Sequence, residues 1–459
     1  MTTSIDRAGD PRSDAPVSAD LVVVTSDRRL SGIDMAVLWG DLSIGILVLY
    51  TGALLVPALS LQDALGAIVI GSLLGCIPLA VVAAAGARSG TATMALFRPV
   101  LGVRGSYLPS VINAVQLVGW AAFEFWAMAG VANAVTREAT GRDLYPVWLV
   151  GIALGCTALA LVGPVRFVRR WLERFGIYVL LAAGAWLTFR VLTVGDLSAV
   201  WGAPGTGGLG FWLGVDLVIA MPVSWLPLVA DYTRFSTSSR GAFAGVFGGY
   251  LVGNVWFYSL GALLVLLAGS QVGVLGIGDA LIALAGGAVV LASLVVGETD
   301  AAFANLYSAA VSVGNIAPRL SRRRLIVAIA TIAFAIALFL GESAETFELF
   351  LLTIGSVFVP LFGVFLAHET MRTFGWQRSE SSSGVDAAAV VAWLAGVIAY
   401  HWSSPSPLPG WQQAVAWFFE DLLGVGFPLA QGSLGASIPG FVVAFVIGLG
   451  GFAATRRTR

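Results

Sequence analysis

Twelve apolar runs divide this chain, at residues 33–59, 64–87, 106–136, 145–163, 174–194, 211–230, 241–269, 286–316, 325–340, 347–368, 386–403 and 436–455. A helix of about 20 such residues crosses roughly 30 Å of hydrocarbon, so the runs predict about twelve transmembrane helices. Charged residues make up only 11% of the chain and hydrophobic ones 58%. A soluble domain carries about 25% charged residues, so this composition excludes the soluble classes. The net charge of −1 says nothing about partners; the lipid bilayer is the partner expected, and no nucleic acid is.

All 25 basic residues are arginine. If the N-terminus is cytoplasmic, 22 of them fall on the cytoplasmic side, and only Arg137, Arg142 and Arg190 fall outside. Basic residues concentrate in cytoplasmic loops, so this asymmetry predicts cytoplasmic N- and C-termini in the cell (plasma or inner) membrane. Residues 1–30 are polar, with no apolar run of a signal peptide, and are expected to be a disordered cytoplasmic tail. Cys76 and Cys156 lie in apolar runs and are expected to be small buried hydrophobes.

Five carboxylic acids lie within apolar stretches: Asp41, Glu124, Asp216, Glu298 and Asp300. No arginine is near the middle of those stretches. A charge at the bilayer centre costs about 2.5–3.5 kcal/mol on insertion scales, so each acid must meet a proton, a metal cation or a polar substrate. That makes a cation-coupled membrane site the first expectation.

Two spans carry signs of interruption. The first contains Trp39-Gly40-Asp41-Leu42-Ser43-Ile44-Gly45, and the sixth contains Pro222-Val223-Ser224-Trp225-Leu226-Pro227. Glycine loosens a helix, and proline removes a backbone donor. Breaks at matching places five helices apart point to an inverted-repeat transporter with its site at the breaks. The expected organisation is a tail at 1–30, a first repeat at 31–200, an inverted repeat at 206–371 and a cytoplasmic linker at 372–385. Residues 386–459 would supply two further helices, a long outer loop with an interfacial helix at 411–423, and a basic tail. Gly71, Gly75, Gly151 and Gly155 read as positions of close helix packing.

On the third span, Asn113, Gln116, Trp120 and Glu124 fall within roughly 80° at about 100° per residue. A polar stripe on an apolar helix faces the bundle interior or a watery cavity. Trp120 one turn from Glu124 suits a planar heterocycle, stacked on the indole with in-plane donors to the carboxylate. An interhelical hydrogen-bond ladder with a structural tryptophan fits the same stripe. On the eighth span, Glu298, Asn305 and Ser312 share one face and Asp300 and Tyr307 the other, which predicts two separate sites. One would take substrate and the other a cation on hard oxygen ligands, Thr299 and Asp300; a protonated structural acid at Asp300 remains open.

Two motifs lack their context. Gly205-Thr206-Gly207-Gly208-Leu209-Gly210 matches the dinucleotide fingerprint but follows no strand. Gly276-Ile277-Gly278-Asp279 resembles the motif of intramembrane aspartyl proteases but falls in a loop.

Several segments resemble the nucleobase–cation symporter family. They are Gly119-Trp120, Ser224-Trp225-x-Pro227-x-x-x-Asp231-Tyr232-Thr233-Arg234, Ala304-Asn305-Leu306, and Phe97-Arg98-Pro99 through Gly105. The resemblance covers about residues 30–375 and is greatest to the cytosine and hydroxymethylpyrimidine permease branch. It implies an all-α, leucine-transporter-type fold with a 5+5 inverted repeat plus two C-terminal helices. By that resemblance Trp120 and Trp225 sandwich the substrate ring, Asn305 binds its edge, and Glu124 stands where relatives often carry an amide. The cation would lie on backbone carbonyls near Asp41 and Ile44, the carbonyl of Val296, Thr299 and Asp300. With Gln116 among the substrate residues, these form the expected site. Asp300, where sodium-coupled relatives can carry a hydroxyl residue, leaves sodium and a proton both open as coupling ion; Thr299 beside it favours sodium.

The function expected is import of a pyrimidine-type heterocycle by cation symport, by a monomer with no cofactor beyond the coupling ion. The alternatives are another heterocycle (a purine, hydantoin or pyridine vitamin) or a membrane-embedded hydrolase using paired acids. The hydrolase lacks an H-E-x-x-H, a G-x-S-x-G elbow and an intraspan G-x-G-D.

Overall fold

A computed structural model describes residues 23–24, 28–161, 176–194, 196–268, 281, 287–340, 344–375, 384–403, 410–427 and 433–454. The tail to residue 22, the arginines at 166–174, the Gly276–Asp279 motif, most of the 372–385 linker and Arg456 to Arg459 lie outside them. Helices stand at all twelve expected places. The first span is Gly32–Asp41 followed by Ile46–Leu54, and the sixth is Phe211–Trp225 followed by Val229–Thr233. Between them run Leu61–Ser89, Tyr107–Thr140, Tyr145–Ala160 and Ile177–Val194, the second to fifth. The seventh to tenth are Ser239–Ala268, Gly287–Ile316, Arg322–Ala337 and Ala344–Thr373; Ala387–Ser403 and Ser437–Ala454 complete the chain. Among the described residues, seven helices are long and apolar enough to cross a membrane alone, and the bent first pair makes an eighth.

The packing carries a repeat. The first span lies on the seventh, and five positions on, the sixth lies on the second. The third packs on the ninth as the eighth packs on the fourth, and the second–seventh, third–eighth and fourth–ninth pairs map onto themselves. Two five-helix units related by inversion produce this pattern. The last two helices pack on each other and on the tenth, outside the repeat.

Small residues set the closest approaches. A side chain at Gly71 or Gly75 would strike Val218 or Pro222 of the sixth span, and one at Gly245 or Gly249 would strike the backbone of the first. These are equivalent contacts in the two units, and they match the small-residue packing of membrane helices. Gly151 and Gly155 differ from expectation: nothing among the described residues lies within 4 Å of a Cβ at either.

Local signals place the helix starts. Ser31 and Asp34 form a capping box, in which the Ser31 hydroxyl accepts from the Asp34 N–H and Asp34 accepts from the Ser31 N–H. The preceding backbone is fastened too: the Leu30 N–H donates to the Phe235 carbonyl and the Thr237 N–H to that of Leu30. Cys76 and Cys156 are free and buried, as expected. The 411–422 segment is helical and exposes Trp411, Trp417, Phe418 and Leu422, an apolar face fit for an interface.

Candidate functional site

The first span breaks at Leu42 to Gly45, and its two pieces meet at a 61° bend. A helix that restarts leaves its first N–H groups without intrahelical acceptors. Here the Glu298 carboxylate, from the eighth span, accepts from the N–H of Ile46 at 2.8 Å and of Leu47 at 3.5 Å. An anion at a helix start is favoured by the aligned backbone dipoles as well. Glycine at residue 45 leaves room for this carboxylate, which a Cβ there would displace.

The sixth span breaks between Trp225 and Val229, next to Pro227. The carbonyls released there are met by the polar stripe of the third span. Gln116 Nε2 donates to the Ser224 carbonyl at 2.9 Å and to Asn113 Oδ1 at 2.8 Å. Asn113 Nδ2 donates to the Pro227 carbonyl at 3.3 Å and to the Ser312 hydroxyl at 2.7 Å. The stripe thus serves both expected purposes: its Asn113–Gln116 end is a ladder, and its Trp120–Glu124 end faces a cavity.

That cavity is bordered by Asp41, Ile44, Gly45, Trp120, Glu124, Trp225, Glu298 and Asp300, with Leu42, Leu47, Val48, Met221, Gly297 and Ala301. Four carboxylic acids face one space, and no arginine or histidine is among the described lining residues. Trp120 is held edge-on by Phe347 and Phe350 of the tenth span, with centroids 5.8 and 5.2 Å away. Trp225 is held edge-on by Trp39, 6.1 Å away. Glu124 Oε1 accepts from Asn305 Nδ2 at 2.8 Å, while its buried Oε2 has no partner among the described residues. Asn305 reaches the cavity through Glu124, and Gln116 stands behind it.

Of the residues expected at the cation, Asp41, Ile44 and Asp300 border this cavity, whereas Val296 and Thr299 are not among its lining residues. The carboxyls of Asp41 and Asp300 face each other in hydrogen-bonding reach. Among the described residues, neither oxygen of Asp41 has another hydrogen-bond partner. Two carboxylates this close cannot both remain ionised unless a cation lies with them. The Thr299 hydroxyl lies beside Asp300 and donates to the Val296 carbonyl at 2.6 Å. Glu298 and Asp300 border the same cavity, so the two separate sites expected on opposite faces of the eighth span are one continuous space. The break in the first span folds around both faces.

Asp216 corrects the expectation drawn from its burial. It accepts from the N–H groups of Ala436 (2.6 Å) and Ser437 (3.0 Å), so it caps the last helix. The Asp231-Tyr232-Thr233-Arg234 motif is likewise a joint. Asp231 accepts from the Thr93 N–H at 2.9 Å, Thr233 donates to the Ala83 carbonyl at 2.9 Å, and Arg234 donates to the Tyr307 hydroxyl at 3.2 Å. Glu298, read from the sequence as a buried acid on the face of Asn305, was not among the expected ligands, and its bond to the restarted first span had no local signal.

Residues 23–418 match the family described as permease for cytosine/purines, uracil, thiamine, allantoin. The chain belongs to this family. It is a multi-pass membrane permease of the nucleobase–cation symporter type. The cytosine permease of Escherichia coli is 26% identical over 79% of this chain and 82% of its own length. The allantoin permease of Bacillus subtilis is 24% identical over 76% and 77%. A match to the hydantoin permease of Microbacterium maritypicum, at 25% identity, spans 38% of this chain and only 35% of that protein. Among solved structures, Mhp1, a nucleobase-cation-symport-1 family transporter, closed with bromovinylhydantoin bound, superposes with a TM-score of 0.75 at 17% identity over 96% of both chains. A Na+-coupled sialic acid symporter superposes at 0.65 and 12% identity, over 99% of this chain and 96% of its own. The fold is that of the leucine-transporter type, with its inverted repeat and two additional helices.

Proposed function

We propose that the chain imports an amino-substituted pyrimidine, cytosine or hydroxymethylpyrimidine, together with a cation. The observation that carries this reading is Glu124, whose Oε1 is pinned by Asn305 while the buried Oε2 stands without a donor at the cavity wall. An exocyclic amine supplies the missing donor, and a protonated ring nitrogen adjoining it makes the contact bidentate. Trp120 and Trp225, both on the cavity wall, would hold the ring between them. The cation would lie on Asp300 and Thr299, with the carbonyls of Asp41, Ile44 and Val296. Both termini would be cytoplasmic, so that the inward electrical gradient, about 2.3 kcal/mol per charge per 100 mV, drives import.

Hydantoin and allantoin permeases among the relatives support a second reading, in which the substrate is an oxo-substituted ring. Uptake of labelled cytosine, hydroxymethylpyrimidine, uracil and allantoin into vesicles, with and without a sodium or proton gradient, distinguishes the two. Gradient-driven uptake of the amino rings is expected. Glu124→Gln should weaken these about tenfold more than the oxo rings, the loss of one charge-assisted hydrogen bond. Equal loss for both classes assigns Glu124 to the scaffold or the coupling step. Uptake of allantoin alone overturns the amino-ring reading.

A further inference from the structure

The start of a half-helix inside a transporter is a natural place for a substrate's negative group, because free N–H groups and the helix dipole converge there. In this chain that place is already taken. Glu298 reaches across from the eighth span to the N–H groups of Ile46 and Leu47 at the start of the nine-residue outer half of the first span. Glu298 is 5% exposed, and Gly45 leaves the room that its carboxylate fills.

The surrounding acceptors have the same bias. Among the described residues, Glu124 Oε2 borders the cavity without a donor, and Asp41, 2% exposed, borders it with no hydrogen-bond partner but the facing carboxyl of Asp300. Asp300 adds a fourth acid. One coupling cation leaves the described lining rich in negative charge and in unfilled acceptors. The occupant must then bring N–H donors or positive charge of its own.

We infer that Glu298 is a selectivity residue, which occupies the half-helix start with a fixed negative charge, admits cationic or donor-rich rings, and turns away anionic rings. This rests on the cavity being the heterocycle site. In a partly buried space a like charge a few ångströms away is strongly repulsive, whereas a neutral ring of the same shape is not.

The test is binding of four rings to the purified full chain, measured by calorimetry and by thermal stabilisation: cytosine, uracil, its anionic derivative 5-carboxyuracil, and the cation 4-aminopyridinium. Wild type should bind 5-carboxyuracil at least about tenfold more weakly than uracil, and should bind 4-aminopyridinium. Glu298→Gln keeps an oxygen to accept from Ile46 but removes the charge. It should shrink the anion penalty and weaken the cation by about tenfold each, with cytosine changed only a few-fold. A folded Glu298→Gln protein with both preferences intact makes Glu298 a cap alone and overturns the inference. Wild type that binds 5-carboxyuracil as well as uracil overturns it without any variant. Wild type that binds none of the four rings defeats the heterocycle reading itself, and this inference with it.

Discussion

The two broken spans occupy equivalent positions in the repeat, yet their breaks are chemically unlike. The break in the sixth span is closed by amides: Gln116 and Asn113 bind the carbonyls of Ser224 and Pro227. The break in the first is surrounded by acids, and among the described residues the Asp41 carboxyl meets only the facing carboxyl of Asp300. A neutral amide supplies the N–H that a freed carbonyl lacks, so the Ser224 and Pro227 carbonyls of the sixth-span break are satisfied from within the protein. Two facing buried carboxyls, Asp41 and Asp300, must share a proton or hold a cation between them. An interrupted helix is therefore a means of exposing backbone, and the side chains that meet it decide whether it becomes a joint or a binding place.

Asp300→Asn attacks the first break most directly, and the largest effect is expected there. With sodium as the coupling ion, the variant should raise the sodium requirement and erase sodium-dependent substrate affinity, a coupling of about 5–150-fold in typical linked systems. With a proton, exchange should survive while accumulation against a gradient fails. Titration of substrate binding against sodium at fixed pH, alongside exchange in vesicles, reads both. A variant that keeps both ion dependences would dissolve the contrast between the breaks.

Trp225 lies at the last turn before the sixth-span break and Trp120 one turn from Glu124, so both belong to the cavity and not to the amide joint. Trp225→Ala and Trp120→Ala should each cost about 1–3 kcal/mol of stacking, or roughly one to two decades in affinity, with the protein still folded in the membrane. Unchanged affinity in either would remove that face of the proposed sandwich.

Gln116→Ala tests the other side of the comparison. It leaves the buried Ser224 carbonyl without its donor, a loss of about 1–3 kcal/mol in stability. Cation dependence should remain that of wild type, and affinity should move only a few-fold through the neighbouring Trp225. If Gln116→Ala instead loses ion coupling in the manner of Asp300→Asn, the amide joint is part of the ion site.

The span count, both breaks and the repeat of five could be read from the order of residues, because hydropathy and the Gly and Pro interruptions act locally. The Trp120–Glu124 face could be read too, since 100° per residue places side chains on one helix without knowledge of its neighbours. Contacts between distant segments could not. Glu298 and Ile46 are 252 residues apart, and nothing near either announces that an acid of the eighth span caps the first. Gln116 shares its helical face with Trp120 and Glu124, but only the location of the Ser224 carbonyl turns it from the cavity to the joint. Helical angle separated Glu298 from Asp300, and the bend of the first span brought them back to one space.

Asp216 supplies the finest form of the comparison, because it is a buried acid of the sixth span that needs no external cation. Its carboxylate accepts from two backbone N–H groups at the start of the last helix, Ala436 and Ser437. A Cβ at Gly435, where φ is +66°, would press on the same carboxylate. Asp216→Asn keeps one oxygen to accept and loses the charge at the helix start, an effect of about 1 kcal/mol or less. Denaturation of the purified protein should show that small loss, while substrate affinity and its cation dependence stay at wild-type values. A change in cation dependence would mean that the last helix communicates with the ion site through the sixth span, and that burial without a basic partner is a functional signal even where backbone donors satisfy the acid.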